Sequence, residues 1–247
     1  MKAFWHTFFY QPLYNALIAI VAIIPGHSVG VAIVVLTLVV KGALLPLTAK
    51  SSRAQKAMKV LDPEMKAIKE RHKDNKEAQA KAMMELYQKH KVTPFSGCLP
   101  IIVQLPFIIG LYFVFWKGLS IDPAILYSFV PHPEALNMHF LGLDLAARSV
   151  VLAVLAGATQ FVQAWLVSGK TMNEPKEEKK EGASFQDDFQ KSMQIQMLYI
   201  LPIMIGFFAY SISAAVALYW TTSNMLSIAQ ELYMKRKGRT GMVAKSV

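Results

Sequence analysis

The chain has 247 residues, 54% of them hydrophobic and 17% charged, with a formal net charge of +10. It is too apolar and too poor in charge for an ordinary soluble domain of this length. Its basic residues flank hydrophobic runs and form no finger, basic-zipper or RNP-like pattern, so the positive-inside rule accounts for them better than nucleic acid does.

In residues 4–24 the dense apolar part covers only 16–24; the first half mixes Phe4, Trp5, Phe8, Phe9, Tyr10 and Tyr14 with His6, Thr7, Gln11 and Asn15. Aromatic and polar residues interleaved suit the headgroup zone, so residues 1–25 are read as an amphipathic helix on the outer face, with a true span as the alternative. Lys2 is the only charge ahead of this stretch and no small-x-small site lies near Pro25, so a cleaved leader is not expected.

The first span lies in residues 26–49. Residues 29–47 are apolar except for Thr37 and Lys41. At about −0.4 kcal/mol per apolar residue against about +3 kcal/mol for one central Lys, insertion stays favourable. Residues 50–93 follow as a cytoplasmic helical hairpin: Ala54, Met58, Leu61, Met65 and Ile68 recur at threes and fours, and Met83, Leu86 and Tyr87 return after a polar break at Lys73-Asp74-Asn75-Lys76. Asp62 before Pro63 predicts an N-cap and a bend. The second span is residues 94–117, interrupted by Gln104 and Pro106. Residues 118–147 form an external loop, with no Lys or Arg from 119 to 147, and residues 148–168 a third span. A polar cytoplasmic loop (169–192), two shorter spans (193–211 and 212–232) and a basic cytoplasmic tail (233–247) complete the chain. The predicted class is all-α: a polytopic membrane protein with five transmembrane helices, an outer-face amphipathic helix and a cytoplasmic hairpin.

Lys41 is the most informative residue, because a cation in mid-span is costly and usually faces a wet cavity or a partner. It lies roughly 13 Å along the helix from Lys50, about twice the reach of its side chain, so snorkelling covers part of the distance; a snorkelling Lys near the interface is the alternative to a cation lining an inward-facing cavity. Thr37 and Thr48 extend a polar stripe on its face. Other spans contribute Gln104; Thr159, Gln160 and Gln163; and Tyr219, Thr222, Ser223 and Asn224. Hydrogen bonding between helices is the plain alternative for each. Lys41, however, has no acidic partner within any span, so a hydrated cavity lined by uncharged polar groups is the cheaper arrangement. Gly26-His27-Ser28-Val29-Gly30 fits the nucleophile-elbow spacing, but helical membrane flanks in place of strand and helix argue against it. His72 and His90 read as hairpin surface, and Cys98, the only cysteine, as a small packing residue.

Short motifs follow one another along the chain: Gln11-Pro12-Leu13, Val40-Lys41-Gly42, Pro46-Leu47-Thr48, Leu61-Asp62-Pro63-Glu64-Met65, Lys91-Val92-Thr93-Pro94, Gly97-Cys98-Leu99-Pro100-Ile101, Gln104-Leu105-Pro106, Leu218-Tyr219-Trp220 and Ser223-Asn224. In this order and spacing they resemble the YidC family of membrane protein insertases over nearly the whole chain. The resemblance implies five spans around a hydrophilic groove open to cytoplasm and lipid but closed outside. It implies a groove cation at Lys41 with Thr37 beside it and a substrate slide near Leu105, Pro106 and Tyr219; the groove lining expected from the spans themselves is Gln104, Thr159, Gln160, Gln163, Tyr219, Trp220 and Ser223. The family's cation is typically Arg; Lys keeps the charge without the rigid fork. The family's large periplasmic domain is not represented, so the chain resembles a minimal form. Expected partners are nascent membrane proteins, with the ribosome, the Sec translocon and anionic lipids as candidates and no small-molecule substrate. The resemblance further implies a bacterial inner membrane location, action as a monomer, and no enzymatic reaction, metal or cofactor. Lys235, Arg236, Lys237 and Arg239 suit ribosomal RNA or anionic lipid equally. The rivals are a small transporter using Lys41 as an anion or proton site, a membrane enzyme, and an assembly factor that binds clients without inserting them.

Overall fold

The computed structural model describes residues 2–73, 75–90, 99–116, 119–168 and 195–243. The predicted Lys91-Val92-Thr93-Pro94 and Gly97-Cys98 positions and the 169–192 loop fall outside them.

The N-terminal rod consists of α1 (Lys2–Trp5), a π-helical turn (His6–Tyr10) and α2 (Gln11–Ile23), with helical dihedrals at both junctions. It stops at Ile24, and the chain reverses through Pro25–His27, where Gly26 takes φ 77°, a conformation glycine adopts without strain. Ser28 Oγ then accepts from the Val31 N–H at 3.4 Å, so the Gly-x-Ser-x-Gly stretch is a turn followed by a helix start.

Helix α3 (Val29–Val60) is one unbroken element. The sequence divides it near residue 49, where polarity changes. Ala, Ser, Gln, Lys and Arg all tolerate helix, so the environment changes there and the backbone does not. Leu61, still near helical dihedrals, leads into α4 (Asp62–Arg71) without a side-chain cap; the bend therefore centres on Leu61 and not on an Asp62 cap. Asn75 does cap α5 (Lys76–Lys89), accepting from the Ala78 N–H. The remaining helices are α6 (Leu99–Trp116), α7 (Val150–Ser168), α8 (Leu201–Ser211), preceded by a π-helical turn at Gln196–Ile200, and α9 (Ala214–Val243). Helix α9 likewise runs past the predicted boundary at 232/233, because its Lys and Arg residues are good helix formers.

One departure from the all-α reading is a small antiparallel pair, β1 (His139–Phe140) with β2 (Leu143–Asp144). Leu141 and Gly142 both have positive φ, as a tight primed turn needs. This hairpin belongs to a docked loop over residues 119–149. The Asn137 carbonyl accepts from the Val29 N–H, and Ala147 and Leu145 carbonyls accept from Ala214 and Ala215, so the loop gathers the first turns of α3 and α9. Gly30 lies against the Phe140 ring so closely that a Cβ there would overlap it. Helix α2 is fastened to the same loop. Buried Asn15 donates to the Ile125 carbonyl and accepts from the Tyr127 N–H, while Tyr14 Oη donates to the Ser120 carbonyl and accepts from the Asp122 N–H.

Val29–Ala54 and Val150–Val167 are long and apolar enough to cross a bilayer, and Gln104–Trp116 and Gln196–Ser211 are shorter apolar helices. Helix α9 is in neither group; Thr221, Thr222, Ser223, Asn224 and Gln230 interrupt its apolar run. Large apolar side chains stand on the outside of α7 and α8, including Val154, Ile203 and Phe207, a surface matched to lipid rather than water.

Packing differs sharply between the two halves of the bundle. On α3 the buried run ends at Thr37 and resumes only at Ser51; on α7 it ends at Ala156; on α6, among the described side chains, it begins at Gly110. On α9, among the described side chains, the last buried apolar residue is Tyr219, after which the buried residues are Thr221, Ser223, Asn224 and Glu231. The apolar core, with Leu17, Ile18, Ile33, Leu111, Leu145 and Val216 at its centre, therefore fills the half next to the docked loop.

Candidate functional site

The other half is held by polar side chains, most of them reaching from α9. Lys41 Nζ donates to Ser227 Oγ at 3.0 Å, and Ser227 Oγ donates to the Ser223 carbonyl at 3.0 Å. Two turns on, Gln230 Nε2 donates to Thr48 Oγ1 at 2.9 Å. Residue numbers rise together along both partners, so α3 and α9 run parallel along this seam. Proline at 46 has no N–H to offer the Gly42 carbonyl, which leaves a backbone acceptor one residue from Lys41.

The seam continues to α6 through Gln104 Nε2, which donates to Tyr219 Oη. Tyr219 and Ser223 are one turn apart and share a face. Lys41 and Gln104 are half-buried, whereas Tyr219 and Ser223 are buried. Thr37 is also buried and donates to its own Ile33 carbonyl at 2.6 Å, a bond that satisfies its hydroxyl within α3. Thr37, Tyr219, Leu13, Phe107 and Leu111 line a cavity of about 10 Å³, room for one water at most. Above this level, toward the docked loop, most of the buried residues are apolar, with Asn15, Ser149 and Ser213 among them.

The residues on α7 meet a different face of α9. Gln160 Oε1 accepts from Trp220 Nε1 at 3.2 Å, and Asn224 Nδ2 donates to Thr159 Oγ1 at 3.2 Å and to the Ala156 carbonyl at 3.4 Å. Thr159, Gln160 and Trp220 thus join α7 to α9 and are not brought to Lys41; Gln163 is half-buried farther along α7. Of the slide residues, Leu105 is exposed, Pro106 half-buried, and Tyr219 belongs to the inner wall. Lys235 of the basic tail is engaged inside the fold, donating to the Leu166 carbonyl at 2.7 Å near the end of α7, where a cation complements the helix dipole.

Ser227 and Gln230 were missed by sequence reasoning. Their signal was available: Tyr219, Ser223, Ser227 and Gln230 follow one another at intervals of four, four and three, one stripe on one helix face.

Fold and site define an α-helical membrane protein whose buried residues are mostly apolar toward the docked loop and polar toward the other end. The chain belongs to the 60Kd inner membrane protein family, whose sequence signature matches residues 20–241. It is 34% identical to the membrane protein insertase MisCA of Bacillus subtilis, over 94% of this chain and 79% of that protein. It is also 34% identical to the membrane protein insertase YidC 2 of Bacillus anthracis, covering 81% of it. Against the membrane protein insertase YidC of Pelobacter propionicus it is 32% identical, spanning 94% of this chain but only 39% of the relative.

Proposed function

We propose that this chain is a membrane protein insertase and chaperone. A client's polar tail or short loop enters a hydrophilic groove around Lys41, and the client's apolar helix partitions into lipid. The observation that carries this reading is the split in packing: an apolar core ends at the level of Thr37 and Tyr219, and a polar seam lies beyond it. The lysines and arginines of the hairpin and tail gather at the seam's end, which the positive-inside rule assigns to the cytoplasm. Five helices, α3 and α6 to α9, cross the membrane, and the loop over residues 119–149 closes the groove outside.

The energetic logic is a shortened dry path. A polar group dehydrated without a partner costs several kcal/mol in hydrocarbon, and a groove wet over half the bilayer leaves fewer groups dehydrated at once. Lys41 attracts acidic residues of the incoming tail, with the field strengthened by low-dielectric walls. Partition of the client helix, favourable by roughly 0.3 to 0.6 kcal/mol per large apolar residue, drives release. The exit runs along α6, where Leu105, Ile109 and Phe113, spaced by fours, are exposed. The α4–α5 hairpin, closed by Leu61, Met65 and Leu86, receives the nascent chain. The ribosome and the Sec translocon are its candidate partners, and anionic lipid that of the tail beyond Lys235. The protein works as a monomer in a bacterial inner membrane, without covalent chemistry or a cofactor.

The test is insertion of a short single-span client into liposomes containing only this protein. Protease-protected client above the level of empty liposomes supports the reading; equal protection with and without the protein refutes it.

A further inference from the structure

Helices α7 and α8 approach each other backbone to backbone. A Cβ built on Gly157 would stand 3.1 Å from the Pro202 carbonyl, and one on Gly206 3.4 Å from the Ala153 carbonyl. Beside this close approach lies a cavity of about 590 Å³, apolar and open on its outer side, far from Lys41 and the polar seam. Its walls extend from Val150 to Phe161 on α7 and from Tyr199, in the π-helical turn, to Tyr210 on α8. Each stretch covers twelve residues, a rise of roughly 17 Å at about 1.5 Å per residue.

Three features identify what fits there. The length matches one leaflet, about half of a ~30 Å hydrocarbon core, and is too short for a helix that spans the bilayer. The inner end is walled by the Phe161 and Tyr199 rings, whose centroids are 6.1 Å apart, so an occupant enters from the outer end and stops partway. At the outer end exposed Arg148 stands two residues ahead of Val150, and it is the sole Lys or Arg in residues 119–149. The geometry points to a phospholipid site: one acyl chain lies in the α7–α8 groove of the outer leaflet, and its phosphate is held by Arg148. Tyr210, at the same end, is placed for the ester region, where amphipathic rings settle. The bound lipid covers the apolar groove beside the close approach that the two glycines permit. The site uses none of the seam residues, and its place in the outer leaflet rests on the membrane orientation proposed above.

The experiment is photocrosslinking of the full chain in liposomes containing phosphatidylglycerol with a diazirine at mid-chain. Crosslinked peptides are mapped by mass spectrometry for wild type, Arg148→Gln and Val154→Trp. Val154 is an exposed groove residue, so its tryptophan fills the groove without entering the core. The site predicts crosslinks concentrated in residues 150–161 and 199–210, lost in Val154→Trp and reduced about fivefold in Arg148→Gln, the weight of one basic side chain at a lipid surface. Circular dichroism and monomer elution identify folded variants. Crosslinks spread evenly over all lipid-facing helices, or the same yield from folded Val154→Trp, would overturn the proposal. Loss in Val154→Trp with an unchanged Arg148→Gln would overturn the headgroup assignment.

Discussion

Lys41 Nζ on α3 and Ser227 Oγ on α9 stand 3.0 Å apart, joining the cation to a hydroxyl and not to a carboxylate. A hydroxyl leaves the full positive charge uncompensated, so water or an incoming acid must complete its solvation. Replacing Ser227 by Ala should therefore change insertion less than twofold, because a water can take the place of the hydroxyl. A large loss in Ser227→Ala, measured in reconstituted insertion, would instead mean that the pair is a structural latch.

The charge itself is expected to discriminate among clients. Lys41→Ala should reduce insertion of a client with an acidic tail about fivefold more than that of a client with a neutral tail, on the order of 1 kcal/mol for a partly solvated ion pair. Lys41→Arg should retain the difference. Paired clients differing only in tail carboxylates provide the measurement, and equal losses for both would remove the charge role.

At the sealed end, Gly30 and Phe140 form a fit that any side chain at position 30 disrupts. Gly30→Val is expected to destabilise the docked loop by about 1–3 kcal/mol, the usual cost of overpacking. Because the obstacle is one ring, Phe140→Ala in the same chain should recover part of the loss. Thermal unfolding in detergent of the two single variants and the double variant gives the coupling.

The two glycines between α7 and α8 should not respond alike. Gly206→Ala meets ordinary contact and gains helix propensity, up to about 1 kcal/mol, whereas Gly157→Ala presses on the Pro202 carbonyl. Gly206→Ala should thus unfold at the higher temperature of the two. The opposite order would show that the close approach lies elsewhere.

Asn15 serves the loop through both ends of its amide, to Ile125 and Tyr127. Asn15→Leu keeps the branched shape and leaves the Tyr127 N–H without a partner, at about 1–3 kcal/mol, while Gln11 Nε2 still donates to the Ile125 carbonyl. Faster proteolysis within residues 119–130 is the expected sign; unchanged protection would mean that α2 does not fasten the loop.

Family membership and the helical, membrane-suited character of the chain were legible in the sequence, because both rest on apolar runs and short motifs that need no tertiary knowledge. Helix ends at residues 49 and 232 were not, since a change from apolar to basic marks a change of surroundings that α3 and α9 cross without breaking. Asn15 and Gln11 look like headgroup residues in a linear reading; their partner, the Ile125 carbonyl, is more than 100 positions away. The same distance hid the division of the polar residues into those that face Lys41 and those, Thr159 and Gln160, that join α7 to α9.

Insertion through this groove requires a seam around Lys41 that is wet and reachable from the side of the basic hairpin. Replacing Cys98 with Ser, introducing Ser227→Cys, and measuring the labelling rate with a membrane-impermeant maleimide added to either side of oriented vesicles reads this out. Rapid labelling from the hairpin side only, slowed by an engaged client, is the expected result. Absence of labelling from that side, in a protein that labels fully once unfolded, would contradict it.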